Sequence, residues 1–311
     1  MMRTTTTLLL AIVLLASCNQ YQKTPSGLVY KISKSGIKEK LKNGLFVKFN
    51  IEYKVPPKDS VLTSSYGHIP AYLVVDTSRP NKHSFLEIIT LCAVGDKIDF
   101  SMSVDTLKNL GMLEYNNIFH KKDIIKGRVE IIKVFPSQPD AQADMLKEQA
   151  IEKARELKEL QEYTSKKGIK TQTTRSGTLV EIQAPGDVQK ADSGKQAKVM
   201  YKGTFLDGKE FDSNIDPKGQ NNQPLVINVG STGGPNSVIP GLDEALRLFG
   251  KGGKGRIYIP AMLAYGQNGQ PPRIPAYANM IFEIEMLDVS IPAPPAPVPA
   301  MPGQPQAQPK K

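Results

Sequence analysis

The residues whose types and order could do chemistry lie within 198–289. Four blocks carry them: VMYKGTFLDGKEFDS (199–213), VIPGLDEAL (238–246), IYIPAMLAYG (257–266) and IFEIEMLDV (281–289). Three of the four are rich in aromatic and aliphatic side chains and poor in ionisable ones. None sets a nucleophile beside a base, the arrangement that covalent catalysis requires. A site of this composition works by shape and dryness, not by proton transfer, and few reactions suit such a site.

The rest of the chain offers less. His68, His83 and His120 are the three histidines, and they show no metal-ligand spacing with each other or with Cys92. No metal and no cofactor is therefore expected. Residues 250–255 are rich in Gly and Lys but lack the Gly-Lys-Ser/Thr ending of a phosphate loop, so they read as a link between helix and strand. Cys92 lies in the apolar run 88–94 and reads as a small buried hydrophobe.

The elements that must position the four blocks occur twice. TPSGLVYKI (24–32) matches TRSGTLVEI (174–182) at a distance of 150 residues, and the offset holds at Gly44/Gly194 and Phe49/Val199. LCAVGDK (91–97) aligns without gaps on LFGKGGK (248–254), and VEIIKV (129–134) echoes IEMLDV (284–289). An internal duplication governs the fold reading more than any local feature. Each copy shows several short strands and one helical pattern; in the second, Ile239, Leu242, Ala245, Leu246 and Phe249 recur at helical spacing behind Pro240. The expected class is α+β, two domains of antiparallel sheet with a short helix, covering 26–136 and 170–290.

Between them, 139–168 reads as a helix with Leu146, Ala150, Ala154, Leu157 and Leu160 on one side, and Glu148, Glu156 and Glu159 away from it. It is either a spacer packed on its own domains or a homodimer contact. Past Ser290 the Pro/Ala/Gln-rich stretch 291–311 has the composition of a disordered tail.

The 311 residues carry a formal net charge of +10, with Lys and Arg interleaved with acids through both halves. That is a solvated surface and names no nucleic-acid partner. Residues 1–17 have a signal segment's order: Arg3, an apolar run at 8–16, then Ser17-Cys18. The Leu-Ala-Ser-Cys ending resembles a bacterial lipobox, which implies a lipidated Cys18, a membrane partner and a polar tether at 18–25; an ordinary cleaved signal is the alternative. With Cys18 lipidated, Cys92 has no partner for a disulfide. Asn19 after it implies, by the same resemblance, the outer membrane.

On the ordered motifs Tyr201, Phe211-Asp212, Val238-Ile239, Ala264-Tyr265-Gly266 and Phe282, residues 198–289 resemble the FKBP-type peptidyl-prolyl isomerase domain, in its periplasmic macrophage-infectivity-potentiator-like branch. The resemblance implies a hydrophobic cleft between sheet and helix that receives a proline of an unfolded polypeptide. It implies that Tyr201, Phe211, Asp212 and Phe282 wall the cleft, that the Val238-Ile239 pair supplies a backbone N–H, and that the Tyr265 hydroxyl reaches a substrate carbonyl. Leu225 and Ile274 flank the site. Leu242 stands where the family often has a tryptophan floor, which implies a shallower cleft; Arg273 stands where an aliphatic residue is common. The expected role of Asp212 is to accept from the Tyr201 hydroxyl, since an uncompensated buried carboxylate is costly. In the first copy, alignment puts Ile51 at the Tyr201 position, Thr63-Ser64 at Phe211-Asp212 and Gly127 at Phe282, so the frame is kept and the site is lost.

Overall fold

Period-two alternation makes a seven-stranded antiparallel sheet of each repeat. On the strand Lys97–Ser103, for example, Ile98, Phe100 and Met102 are buried and the residues between them are not. The computed structural model describes residues 20–55, 60–78, 81–215, 222–231, 233–234 and 236–292. The signal segment 1–17, Cys18 and the Pro/Ala-rich stretch from 293 lie outside the described residues.

Two compact units divide the chain, 1–152 and 153–311. The first contains β1 (Gln22–Lys23), β2 (Val29–Ser33), β3 (Phe46–Val55), β4 (Ser60–Ser64), β5 (Ala71–Val74), β6 (Lys97–Ser103) and β7 (Ile124–Phe135), with a 3-10 helix at Phe85–Leu91 and α1 at Val104–Asn109. Its sheet runs β1-β2-β6-β7-β3-β4, with β5 also paired to β3. Residues 22–23, expected in the tether, are thus part of the sheet, because β1 pairs with β2.

Helix α2 (Gln138–Lys166) follows, then β8 (Gln172–Thr173), β9 (Leu179–Ala184), β10 (Gln196–Phe205), β11 (Glu210–Ser213), β12 (Leu225–Asn228), α3 (Pro240–Leu246), β13 (Lys254–Ile259), a 3-10 turn at Ala261–Leu263 and β14 (Met280–Ser290). The second sheet runs β11-β10-β14-β13-β9-β8 with β12 on β10, which read backwards is the first sheet strand for strand. Even the irregularities coincide. The pairing with the long C-terminal strand slips between Lys48 and Phe49 in one unit and between Lys198 and Val199 in the other. Gly95 donates to Ile131 O and Gly252 to Met286 O, both at 2.7 Å.

This register corrects one alignment. Glu52 pairs with Ser64 and Tyr53 with Thr63, whereas Lys202 pairs with Ser213 and Gly203 with Asp212. Leu62-Thr63, not Thr63-Ser64, therefore stands where Phe211-Asp212 stands. The two hairpin connections differ in length by one residue, which spacing along the chain does not reveal.

Helix α2 departs further from its pattern. Glu152 and Glu156 are 3% and 2% exposed, while Leu146 is 57% exposed and Ala150 and Ala154 face solvent. The cause is the polarity of what the helix meets. In the first unit, Lys48 Nζ lies 2.7 Å from Asp144 and 2.6 Å from Glu148, the Tyr72 hydroxyl donates to Asp144 at 2.7 Å, and His68 Nδ1 lies 3.0 Å from Glu152. In the second, Met262 N donates to Glu156 at 2.9 Å and Asn279 to Glu159 at 3.0 Å. Only Leu157 and Leu160 of the expected stripe pack inward, against Leu179, Tyr258 and Ile281. Charge-assisted bonds, stronger than neutral ones, override the apolar periodicity.

Cys92 is fully buried, and burial pushes its thiol up to about 12. The Gly-rich stretch 250–253 is the turn between α3 and β13.

Candidate functional site: an aromatic cleft in the second unit

The cleft begins on β10, where Tyr201 and Gly203 fall on one face at period two. Gly203 pairs with Phe282 of β14 on one side and Asp212 of β11 on the other. A side chain at Gly203 would meet the tip of the Phe211 ring at 2.6 Å, so the absence of a Cβ lets that ring approach the strand. The Tyr201 and Phe282 rings stand 5.9 Å apart, and Phe211 meets Phe282 edge-on at 5.6 Å and 80°. Such edge contacts hold aromatic side chains in fixed orientation.

The opposite side comes from α3 and its approach. Pro240 opens the helix at a position where its missing N–H costs nothing. Leu242, 4% exposed, lies beneath the rings, Val238-Ile239 leads into the helix, Leu225 comes from β12, and Tyr265 follows the 3-10 turn. These residues with Ser237 line one hollow of about 410 Å³, within the range of small-ligand sites. Tyr201, Phe211, Asp212, Val238, Ile239, Tyr265, Phe282, Leu225 and Leu242 are thus brought together. Ile274 is not: it is 2% exposed, packed in the core, and outside the lining. Phe282 serves both the core and the cleft wall.

A hollow of similar volume, about 390 Å³, lies in the first unit against α2 and is lined by Phe46, Tyr72, Leu73 and Met145 among others. Its Tyr72 hydroxyl is already committed to Asp144. Size alone does not choose between the two; the polar groups do.

In the aromatic cleft the Tyr201 hydroxyl donates to Asp212 Oδ2 at 2.8 Å. Burial first, then this hydrogen bond, holds the Tyr201 phenol well above its ordinary range, so it stays protonated. Tyr265 is likewise raised, by burial and then by the nearby Asp212 charge. Among the described residues, neither the Tyr265 hydroxyl nor the Ile239 N–H has a hydrogen-bond partner. The Ile239 N–H and the Tyr265 hydroxyl are thus uncommitted donors in the lining, whose other polar side chains, Tyr201, Asp212 and Ser237, are already engaged.

Two contributors were not visible in the sequence. Asn214 accepts from Tyr201 N at 2.6 Å and donates to Val199 O and Gln223 O, which ties β10 to the chain beyond β11. Ser237 lines the cleft, and adjacency to Val238 was its only signal. At the rim, Arg273 stands 3.5 Å from Asp212.

The second unit is thus an antiparallel sheet packed on a short helix, with an aromatic cleft between them. A family model described as FKBP-type peptidyl-prolyl cis-trans isomerase matches residues 187–287. The chain is 36% identical over 156 residues to the FKBP-type peptidyl-prolyl cis-trans isomerase FkpA of Escherichia coli (strain K12), covering 50% of this chain and 53% of that one. It is 30% identical over 222 residues to a probable FKBP-type peptidyl-prolyl cis-trans isomerase of Haemophilus influenzae, covering 67% of this chain and 87% of the relative. Against the crystal structure of FkpA the TM-score is 0.37 at 32% identity, with 50% of this chain and 66% of that one covered. The chain belongs to the FKBP-type peptidyl-prolyl cis-trans isomerase family, and its match spans about half the length of FkpA.

Proposed function

We propose that this chain is a peptidyl-prolyl cis-trans isomerase that works in the cleft of its second unit, on X-Pro bonds of unfolded or partly folded cell-envelope proteins. The observation that carries the reading is the meeting, in one hollow, of packed aromatic rings with two uncommitted donors. Rotation about an amide costs about 18–20 kcal/mol because conjugation must be broken, and for X-Pro bonds the two isomers differ by only about 0.5–1 kcal/mol. The twisted transition state has lost conjugation, and its carbonyl is less polarised than the planar one. A lining of Tyr201, Phe211, Phe282 and Leu242 disfavours the planar amide more than the twisted one, which is differential binding. The Ile239 N–H and Tyr265 hydroxyl fix flanking carbonyls. Asp212, engaged by Tyr201, positions that ring and abstracts no proton.

A protease-coupled X-Pro peptide assay tests this. Turnover is expected to fall several-fold in Tyr265→Phe, the loss of about one hydrogen bond, and to fall also in Asp212→Ala. A wild-type rate no higher than the uncatalysed one would end the isomerase reading and leave a binding-only chaperone; equal catalysed rates in all three would remove these roles from Tyr265 and Asp212.

The envelope location is supported by the signal-like order of residues 1–17 and by Cys18, read as the lipid anchor to the outer membrane. Among the described residues no helix is long and apolar enough to cross a membrane. Mass spectrometry of the mature N-terminus decides the point, and an unmodified Cys18 removes the anchor. A second copy is the partner proposed for 139–168, supported by Leu146 and Ile151 lying 57% and 62% exposed on α2. Sedimentation of the full chain checks it, and a monomer at all concentrations removes it.

A further inference from the structure

Arg273 is the residue that the sequence sets apart and the isomerase reading leaves unused. It sits on a loop whose ends are tied together: Gln270 N donates to Ile274 O at 2.8 Å and Ile274 N to Gln270 O at 3.0 Å. The base of the loop is the buried Ile274, and a side chain at Gly269 would meet the Ile274 and Pro275 backbone at 2.4–2.5 Å, so the neck is closed. The backbone of Arg273 is therefore held at the cleft rim.

Its side chain, 58% exposed, reaches Asp212 Oδ1 at 3.5 Å, while Asp212 Oδ2 is taken by the Tyr201 hydroxyl at 2.8 Å. At that distance the contact with Asp212 is an ion pair longer than an ordinary hydrogen bond. A guanidinium carries five donors in a planar fork, and among the described residues Asp212 is the one group paired with it. Tyr265 lines the same hollow as Asp212; burial, then the Asp212 charge, raises its phenol, and Arg273 opposes them. Arg273 thus projects an underused cationic fork at Asp212, on the edge of the hollow that Asp212 and Tyr265 line.

We propose that Arg273 is a specificity-determining residue, its spare N–H donors taking the carboxylate of an acidic side chain next to the proline of a bound segment. The inference rests on the isomerase reading of the same cleft. A planar fork matches a carboxylate through two parallel bonds, which a lysine ammonium cannot reproduce.

The test uses the full-length protein and two peptide sets, with Glu, Gln or Lys directly before the proline in one and directly after it in the other. NMR exchange gives kcat/KM, and fluorescence anisotropy gives affinity. In the wild type at low salt, Glu is expected to exceed Gln by roughly two- to five-fold in one set, the range of an exposed ion pair. The advantage should shrink toward unity at about 0.5 M salt and in R273Q, persist in part in R273K, and turn into a Lys preference in R273E. Ratios within each variant cancel any general loss of rate. An unchanged Glu/Gln ratio in R273Q and R273E, for both sets, overturns the proposal. Absence of turnover on the wild-type Gln peptide would instead sink the isomerase reading, and the anisotropy ratios would still decide the role of Arg273.

Discussion

The two units share one backbone plan and differ in which strand of a cross-strand triple carries the ring. In the second, Gly203 of β10, Phe282 of β14 and Ile257 of β13 lie side by side. In the first, the matching triple is Tyr53, Gly127 and Phe100. Bare backbone at 203 lets Phe211 lie back against β10, and the hollow stays open above Leu242. Bare backbone at 127 instead admits the Phe100 ring, which a side chain there would meet at 2.0 Å. The position matching Leu242 is Phe85, and its ring stands 5.9 Å from Phe100 and 5.3 Å from Phe49. Tyr53 closes on Phe100 at 5.9 Å and 86°, and burial pushes its phenol up to about 12. One frame therefore makes either a cleft or a filled core, and relocating a few rings decides which.

The comparison can be broken by emptying the filled unit. Phe100→Ala should cost the first unit about 3–5 kcal/mol, the usual loss for a buried Phe, and leave turnover intact wherever that unit remains folded. Calorimetry beside the peptide assay reads both, and a lost turnover would show that the first unit contributes to the site. Next, Gly203→Ala should push Phe211 off β10. Overpacking there costs about 1–3 kcal/mol of stability, and displacing the cleft wall should lower kcat/KM; an unaffected rate would mean that the Phe211 wall does not matter.

Smaller still is Asp212→Asn. It weakens the charge-assisted bond to Tyr201 in a half-exposed pair, by about 1 kcal/mol, and is expected to raise KM a few-fold with little change in unfolding temperature.

The mildest contrast is in pH. Buried His83 accepts from Ser103 N at 2.8 Å and places Nδ1 3.1 Å from Ser26 O, an arrangement that requires the neutral ring. Burial lowers its pKa below the ordinary 6.5. The unfolded chain then takes up a proton at a higher pH than the folded one, so the contribution of His83 is whole above about pH 6.5 and is lost as pH falls below it. Pro240 occupies the matching place in the second unit. The calorimetric transition that Phe100→Ala shifts should therefore weaken from pH 7 to 5.5 while the other holds, and parallel weakening would refute the assignment. Turnover should stay flat from about pH 6 to 9, because Tyr201 and Tyr265 are both held above the ordinary phenol range.

Much of this is legible in the sequence. The 150-residue offset survives as equal strand order and equal register slips because strand identity is local: alternation, turn glycines and β-branched runs write it into short windows. The ordered aromatic motifs meet in one hollow, with Tyr201, Phe211, Asp212, Val238, Ile239, Tyr265 and Phe282 in its lining. Ile274 lies in the core rather than the lining, and an apolar residue beside a cleft and one beneath it look alike in a sequence. The α2 stripe failed for a related reason. Leu146, Ala150 and Ala154 form a sound apolar period, but nothing local says that Lys48, Tyr72 and His68 await the acidic face.

By itself, then, the sequence determined the duplicated sheet, the short helix behind Pro240, and the aromatic and aliphatic composition of the cleft lining. These depend on residues near in the chain or on composition. Only the tertiary structure decided that the rings of the first unit fill their hollow, that α2 turns its carboxylates inward, and that Arg273 meets Asp212 across the cleft mouth. Each of those outcomes depends on side chains from elements distant in sequence competing for the same space or the same charge, and that competition is settled only once the strands are in register.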